Sequence, residues 1–281
     1  MLSPSIGKGG FTMSEITVNG VTLFYEEKGS GPETIVFSHS YLVDNTHFAP
    51  QIEALSDRYR CIAYDLRGHG RSQAPKDGYD MENLYADAVA LIEALHCAPC
   101  HFVGLSTGGF IGVRIGIRRP ELLSSLILMD TTAEAEPEKN FKQYKLLLSI
   151  VRWLGWRLVI NTVMSIFFAE KFLTDPGRQD EVRHWKELIT SGNKKALVQF
   201  GMGIFSRASV FEALSKITAP TLVMVGEKDM GRPLSEAQRT VEKIHGAKLI
   251  IIPEAAHLCT IEEPAAVTEA LEEFLNPQLV A

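Results

Sequence analysis

A serine hydroxyl is a weak nucleophile at neutral pH unless a neighbouring base takes its proton. Ser106 lies in His101-Phe102-Val103-Gly104-Leu105-Ser106-Thr107-Gly108-Gly109, a G-x-S-x-G sequence that follows a short apolar run and opens a helical pattern. So sharp a strand-to-helix turn strains its central residue and leaves no room for side chains two positions away on either side. Gly104 and Gly108 meet that demand. The serine then projects alone. The N–H of Thr107 and the dipole of the helix it opens face the same point, ready for an oxyanion formed beside Ser106.

After an elbow of this kind the acid and then the histidine follow in chain order. Of eight histidines, only His184, His245 and His257 follow Ser106. His184 falls in a helical region and His245 near a helix end. His257 comes after the apolar run Leu249–Ile252 and a four-residue loop, at a strand's C-terminal edge, where ligands bind in open α/β sheets. Asp229, in Gly226-Glu227-Lys228-Asp229, leaves the same edge and is the candidate acid that accepts Nδ1–H and fixes the tautomer. Asp130, ending the preceding strand, is its rival. A second oxyanion donor is expected from the loop His39-Ser40-Tyr41, through the N–H of Tyr41. His39 is read as orienting that loop, and His69 as part of the loop Asp65–Ser72.

These residues need a scaffold. Short β-branched runs alternate with helical patterns, which predicts a mainly parallel sheet with helices on both faces. The runs are Thr34–Ser38, Cys61–Tyr64, His101–Val103, Leu126–Met129, Thr221–Val225 and Leu249–Ile252. An antiparallel hairpin precedes them, Ile16–Val18 and Val21–Tyr25 about Asn19-Gly20, a pair suited to φ > 0. Gly108, Gly112 and Gly116 recur every four residues along one helix face, where they allow close approach to the sheet, and Arg118-Arg119-Pro120 should end that helix. From Thr131 to Ser215 strands vanish. The expected organisation is a flexible tail 1–12, with Met13 reading as a more natural start, an α/β core of 13–130 and 216–281, and a helical cap 131–215 inserted after the sixth strand. Leu146–Ala169 is apolar enough to suggest a membrane span, but Arg152, Arg157, Asn161 and Gly155 interrupt it.

The net charge of −6, without long runs of one sign, argues against a nucleic-acid partner. The four cysteines include one C-x-x-C, Cys97 and Cys100, without a second pair at metal-binding spacing. With no apolar signal region in the first residues, the reading is reduced thiols in the cytoplasm. A monomer or homodimer fits equally well.

Taken together, His39-Ser40-Tyr41, Asp65-Leu66-Arg67-Gly68-His69-Gly70-Arg71-Ser72, Gly104 to Gly109, Gly226 to Asp229 and His257 resemble the α/β-hydrolase superfamily, over residues 14–276. Gly104 to Gly109 and His257-Leu258-Cys259-Thr260-Ile261-Glu262-Glu263-Pro264 are similar to enol-lactonases and small bacterial carboxylesterases. There are departures. Ser40 stands where His-Gly is usual, and Leu258 replaces the tryptophan common in meta-cleavage C–C hydrolases. Serine at the elbow disfavours dehalogenase and epoxide hydrolase chemistry, which uses aspartate.

The resemblance implies a hydrolase of small to medium apolar carboxylic esters, with lactonase, C–C hydrolase or cofactor-free perhydrolase activity as alternatives. A low-turnover ligand receptor on the same fold is a different class. No metal or organic cofactor is required. Trp153, Phe167 and Phe168 are the expected substrate contacts in the cap, and Arg152, Arg157, Arg178 and Arg183 are candidates for a substrate carboxylate.

Overall fold

The computed structural model describes residues 5–6 and 10–276. Its strands are β1 (Ser5–Ile6), β2 (Thr12–Val18), β3 (Val21–Lys28), β4 (Thr34–Ser38), β5 (Arg60–Tyr64), β6 (Cys100–Leu105), β7 (Leu123–Met129), β8 (Thr221–Gly226) and β9 (Lys248–Ile252). Among the described residues they form one sheet in the order β1-β2-β3-β5-β4-β6-β7-β8-β9. β1 to β3 and the β3–β5 pair are antiparallel; every other pairing is parallel. Helices cover both faces. β4, β6 and β8 are therefore buried along their whole length, as strands covered on both faces must be.

The predicted hairpin is present, with Asn19 and Gly20 at φ 46° and 73°, but its strands run further than their apolar residues suggest. Glu26 and Glu27 continue β3, where they are paired with Arg71 of the 65–72 loop at 2.7 Å and with Arg60 of the neighbouring β5 at 2.8 Å. The segment expected to lie outside the fold also contributes. Ser5–Ile6 pairs with Thr12–Met13, β2 starts at Thr12, and Phe11 packs against the core. The remainder of that expected tail, 1–4 and 7–9, lies outside the described residues.

Before β7 come α1 (Ala49–Leu55), α2 (Met81–Ala94) and α3 (Thr107–Arg118). α3 ends at Arg118, immediately before Arg119-Pro120, as predicted. Between β7 and β8 lie α4 (Glu138–Leu154), α5 (Ile160–Phe167), α6 (Glu170–Thr174), α7 (Gln179–Ser191) and α8 (Lys194–Phe205), with no strand among the described residues. Gly155, at φ 84°, splits the long apolar stretch into α4, a 3-10 turn and α5. Among the described residues no helix is long and apolar enough to cross a membrane. The chain closes with α9 (Leu234–Lys243), α10 (Cys259–Glu262) and α11 (Pro264–Leu275).

Strand order sets where the site forms. β4 is followed in sequence by β5 on one side and then by β6 on the other, so the winding reverses there. The loops leaving β4 and β6 diverge around a crevice at their C-terminal ends, where open α/β sheets bind ligands.

Candidate active site

Ser106 follows β6 and caps α3 with φ 52° and ψ −104°, a conformation that non-glycine residues rarely adopt. The surrounding structure holds it there. Ser106 N–H donates to Met129 O at 2.8 Å, and Thr131 Oγ1 donates to Ser106 O at 2.7 Å. The glycines are sterically required: a Cβ on Gly104 would meet the Gly108 backbone at 2.4 Å, and one on Gly108 the Ser38 carbonyl at 1.9 Å. Further along the helix the ladder loosens, to 3.0 Å at Gly112 and 3.3 Å at Gly116. The first turn of α3 thus presses against the end of β4, and pairing of Ser38 with Gly104 brings the loop from His39 beside Ser106.

His257 Nε2 lies 2.9 Å from Ser106 Oγ, and its Nδ1 lies 2.8 Å from Asp229 Oδ2. The other carboxylate oxygen of Asp229 accepts from Gly231 N–H at 2.7 Å and Arg232 N–H at 2.9 Å, which fixes the side chain. Both residues leave neighbouring parallel strands, β8 and β9, on the same sheet edge as Ser106. An imidazole so placed can take the serine proton through Nε2 while Asp229 stabilises the charge. Phe167 stacks on the His257 ring at 5.7 Å and accepts from Leu258 N–H at 3.1 Å.

Asp130, the rival acid, is buried behind this group. Its Oδ1 accepts from Gly226 N–H at 2.7 Å, so it ties β7 to β8 rather than holding the imidazole. Burial, then the neighbouring charge of Asp229, push its carboxyl well above the ordinary range.

The loop after β4 is held by two histidines. Leu66 N–H donates to His39 Nε2 at 2.8 Å, so the proton sits on Nδ1, which donates to Ser40 O at 2.6 Å. Leu42 N–H donates to His69 Nε2 at 3.2 Å. Burial pushes His39 down to about 4 and His69 well below its ordinary value, so both remain neutral staples between the 39–42 and 65–72 loops. Among the described residues the amides of Tyr41 and Thr107 have no hydrogen-bond partner. Each is available to a ligand.

A cavity of about 750 Å³, its open mouth included, lies over Ser106 and His257. Its walls are mainly apolar, with Leu147, Leu148 and Val151 from α4, Val163 and Phe167 from α5, and Ile204 from α8. Of the three expected contacts in this region, Phe167 lines it. Trp153 does not: it is 76% exposed, because α4 turns Leu148 and Val151 inward and leaves Trp153 on the outer face. Phe168 does not either. The chain becomes extended at that residue, and its ring stacks on Phe172 at 4.7 Å.

The arginines expected to meet a carboxylate are also elsewhere. Arg152, Arg157 and Arg183 are exposed, and Arg178 donates to Glu262 O and Ile261 O. Arg232 lines the cavity instead, held by Glu136 Oε2 at 2.5 Å, with Arg207 on the same carboxylate at 3.1 Å. Burial raises the Glu136 carboxyl, yet these two guanidinium groups outweigh it and hold the group below its ordinary value.

Glu262 joins the helical segment to the histidine loop, accepting from Ala169 N–H at 2.7 Å and Ala256 N–H at 2.8 Å. Burial pushes its carboxyl from 4.5 to about 7. Between those values the folded chain therefore holds more protons than the unfolded one, and this group's contribution to stability falls as pH rises through the window. Glu262→Gln, compared with wild type by thermal unfolding between these pH values, should show the shallower decline of Tm; equal slopes would contradict the assignment.

The sheet order and the strand-to-helix turn at Ser106 define the α/β-hydrolase fold. The chain belongs to the alpha/beta hydrolase family, whose model matches residues 35–270. It is 27% identical over 263 residues to 3-oxoadipate enol-lactonase 2 of Acinetobacter baylyi, covering 93% of this chain and 96% of that one. Its structure is similar to a thermophilic esterase from Thermogutta terrifontis, with TM-score 0.87, 26% identity, and 94% and 98% of the two chains covered. It is likewise similar to the enol-lactonase from Burkholderia xenovorans LB400, with TM-score 0.86, 27% identity, and 93% and 99% covered.

Proposed function

We propose that this chain is a serine hydrolase cleaving carboxylic esters, with Ser106 as nucleophile, His257 as base, Asp229 as its partner and 131–215 as a cap. The observation that carries this reading is the continuous chain of short contacts from Ser106 Oγ through His257 to Asp229 inside an apolar cavity. His257 Nε2 takes the hydroxyl proton as Oγ attacks the acyl carbon. The N–H groups of Tyr41 and Thr107 receive the oxyanion, each donor worth about 100- to 1000-fold in rate. The imidazolium then protonates the leaving alkoxide, and water repeats the cycle to release the acid. The walls favour esters whose acyl or alcohol part is apolar.

A lactone bearing a carboxylate is the second reading. Arg232 favours it, being the one cation that lines the cavity among the described residues, and two relatives are named as enol-lactonases. Steady-state hydrolysis of p-nitrophenyl esters from acetate to decanoate, with lactones of matched size followed by pH-stat, tests both. Turnover with a clear chain-length optimum supports the esterase; lactone turnover alone moves the assignment to the second reading. Ligand binding without turnover of either class would leave a receptor.

Ser40 marks a further part of this machinery. It lines the cavity where glycine is usual in the resembling sequences, and among the described residues its buried Oγ has no hydrogen-bond partner. A free buried donor there suits the acyl oxygen or the attacking water. Ser40→Ala should lower kcat about tenfold with KM nearly unchanged, the value of one hydrogen bond to a charged group. An unaltered kcat would remove Ser40 from the scheme.

A further inference from the structure

The helix that roofs the cavity is apolar on two sides. Leu147, Leu148 and Val151 face inward, while Leu146, Trp153 and Leu154 on α4, and Leu158 in the turn that follows, stand 62%, 76%, 65% and 64% exposed. Large side chains left so open together mark an interaction surface rather than a solvated face. The surrounding charge identifies the partner. From 139 to 169 the chain carries Lys139, Lys142, Lys145, Arg152 and Arg157 and no acid, although its net charge is −6. All five are exposed; among the described contacts only Lys142 has a carboxylate, Glu138 at 2.6 Å, and Arg152 lies over the Trp153 ring at 5.2 Å.

Tryptophan and leucine beside lysine and arginine on one helix face suit the boundary of an anionic bilayer, where apolar groups enter the acyl edge and cations meet phosphate. A second copy of this face would bring five cations against five, so self-association does not complement it. We propose that α4 and the turn Trp156–Leu158 form a peripheral docking surface for anionic lipid membranes, laying the roof of the cavity against the bilayer. Binding through this face does not depend on the reaction beneath it.

The full chain should cosediment with vesicles of phosphatidylcholine containing phosphatidylserine, much less with phosphatidylcholine alone, and raised salt should release it. Trp153→Ser combined with Leu158→Ser should lower the bound fraction about tenfold, as should Lys145→Glu combined with Arg152→Glu, given the contribution of each basic group near an anionic surface. None of these four side chains lines the cavity, so Tm and turnover of a water-soluble ester should match wild type. Absence of binding, equal binding to both vesicles, or variants that bind as wild type would overturn the proposal. So would a wild-type dimer that either pair of substitutions converts to a monomer.

Discussion

Alanine at position 106 should lower kcat on p-nitrophenyl esters about 10⁴- to 10⁶-fold, while leaving the fold in place. The substitution deletes one hydroxyl. The strained backbone is secured by Met129 O and Thr131 Oγ1, neither of which needs the side chain, and the glycines around it are untouched. The amides of Tyr41 and Thr107 and the cavity walls also remain, so residual turnover reports what binding and oxyanion donors achieve without a nucleophile. Steady-state assays on wild type and variant prepared side by side measure the ratio. A variant retaining a tenth of wild-type kcat would place the chemistry elsewhere.

Asp229→Asn should cost about 10⁴-fold in kcat with little loss of stability. Asparagine can still accept from Gly231 and Arg232 through its carbonyl, but it no longer offers a charge to the imidazolium and can impose the wrong tautomer. Asp130→Asn provides the contrast. Because burial favours the neutral form of Asp130, and an asparagine carbonyl can still accept from the Gly226 amide without facing the imidazole, kcat should fall less than about tenfold. The reverse ranking, measured on the same ester, would make Asp130 the acid.

The sequence exposes the elbow because its constraint is steric and local: small residues at 104 and 108 are dictated by a turn within five positions. Asp229 and His257 are readable for a related reason, since each follows a strand and strands end at a common edge. Other contacts depend on tertiary packing. Apolar periodicity places Leu148, Val151 and Trp153 on α4, yet it cannot tell which face meets the cavity when both faces are apolar. Phe167 and Phe168 are neighbours in sequence, but the helix ends between them and sends one ring to His257 and the other to Phe172. Arg207 and Arg232 are 71 and 96 positions from Glu136, so nothing local marks that buried group. Glu26 and Glu27 look like loop residues until β5 and the 65–72 loop supply their arginines.

The most direct test of the central claim is covalent capture of the nucleophile. Incubation with a p-nitrophenyl alkylphosphonate, followed by intact-mass measurement and peptide mapping, should show one phosphonyl group per chain, on Ser106, with loss of ester turnover in proportion to labelling. Capture should fail in Ser106→Ala and slow strongly in Asp229→Asn. A label on another residue, or full labelling of Ser106 with turnover intact, would contradict the account.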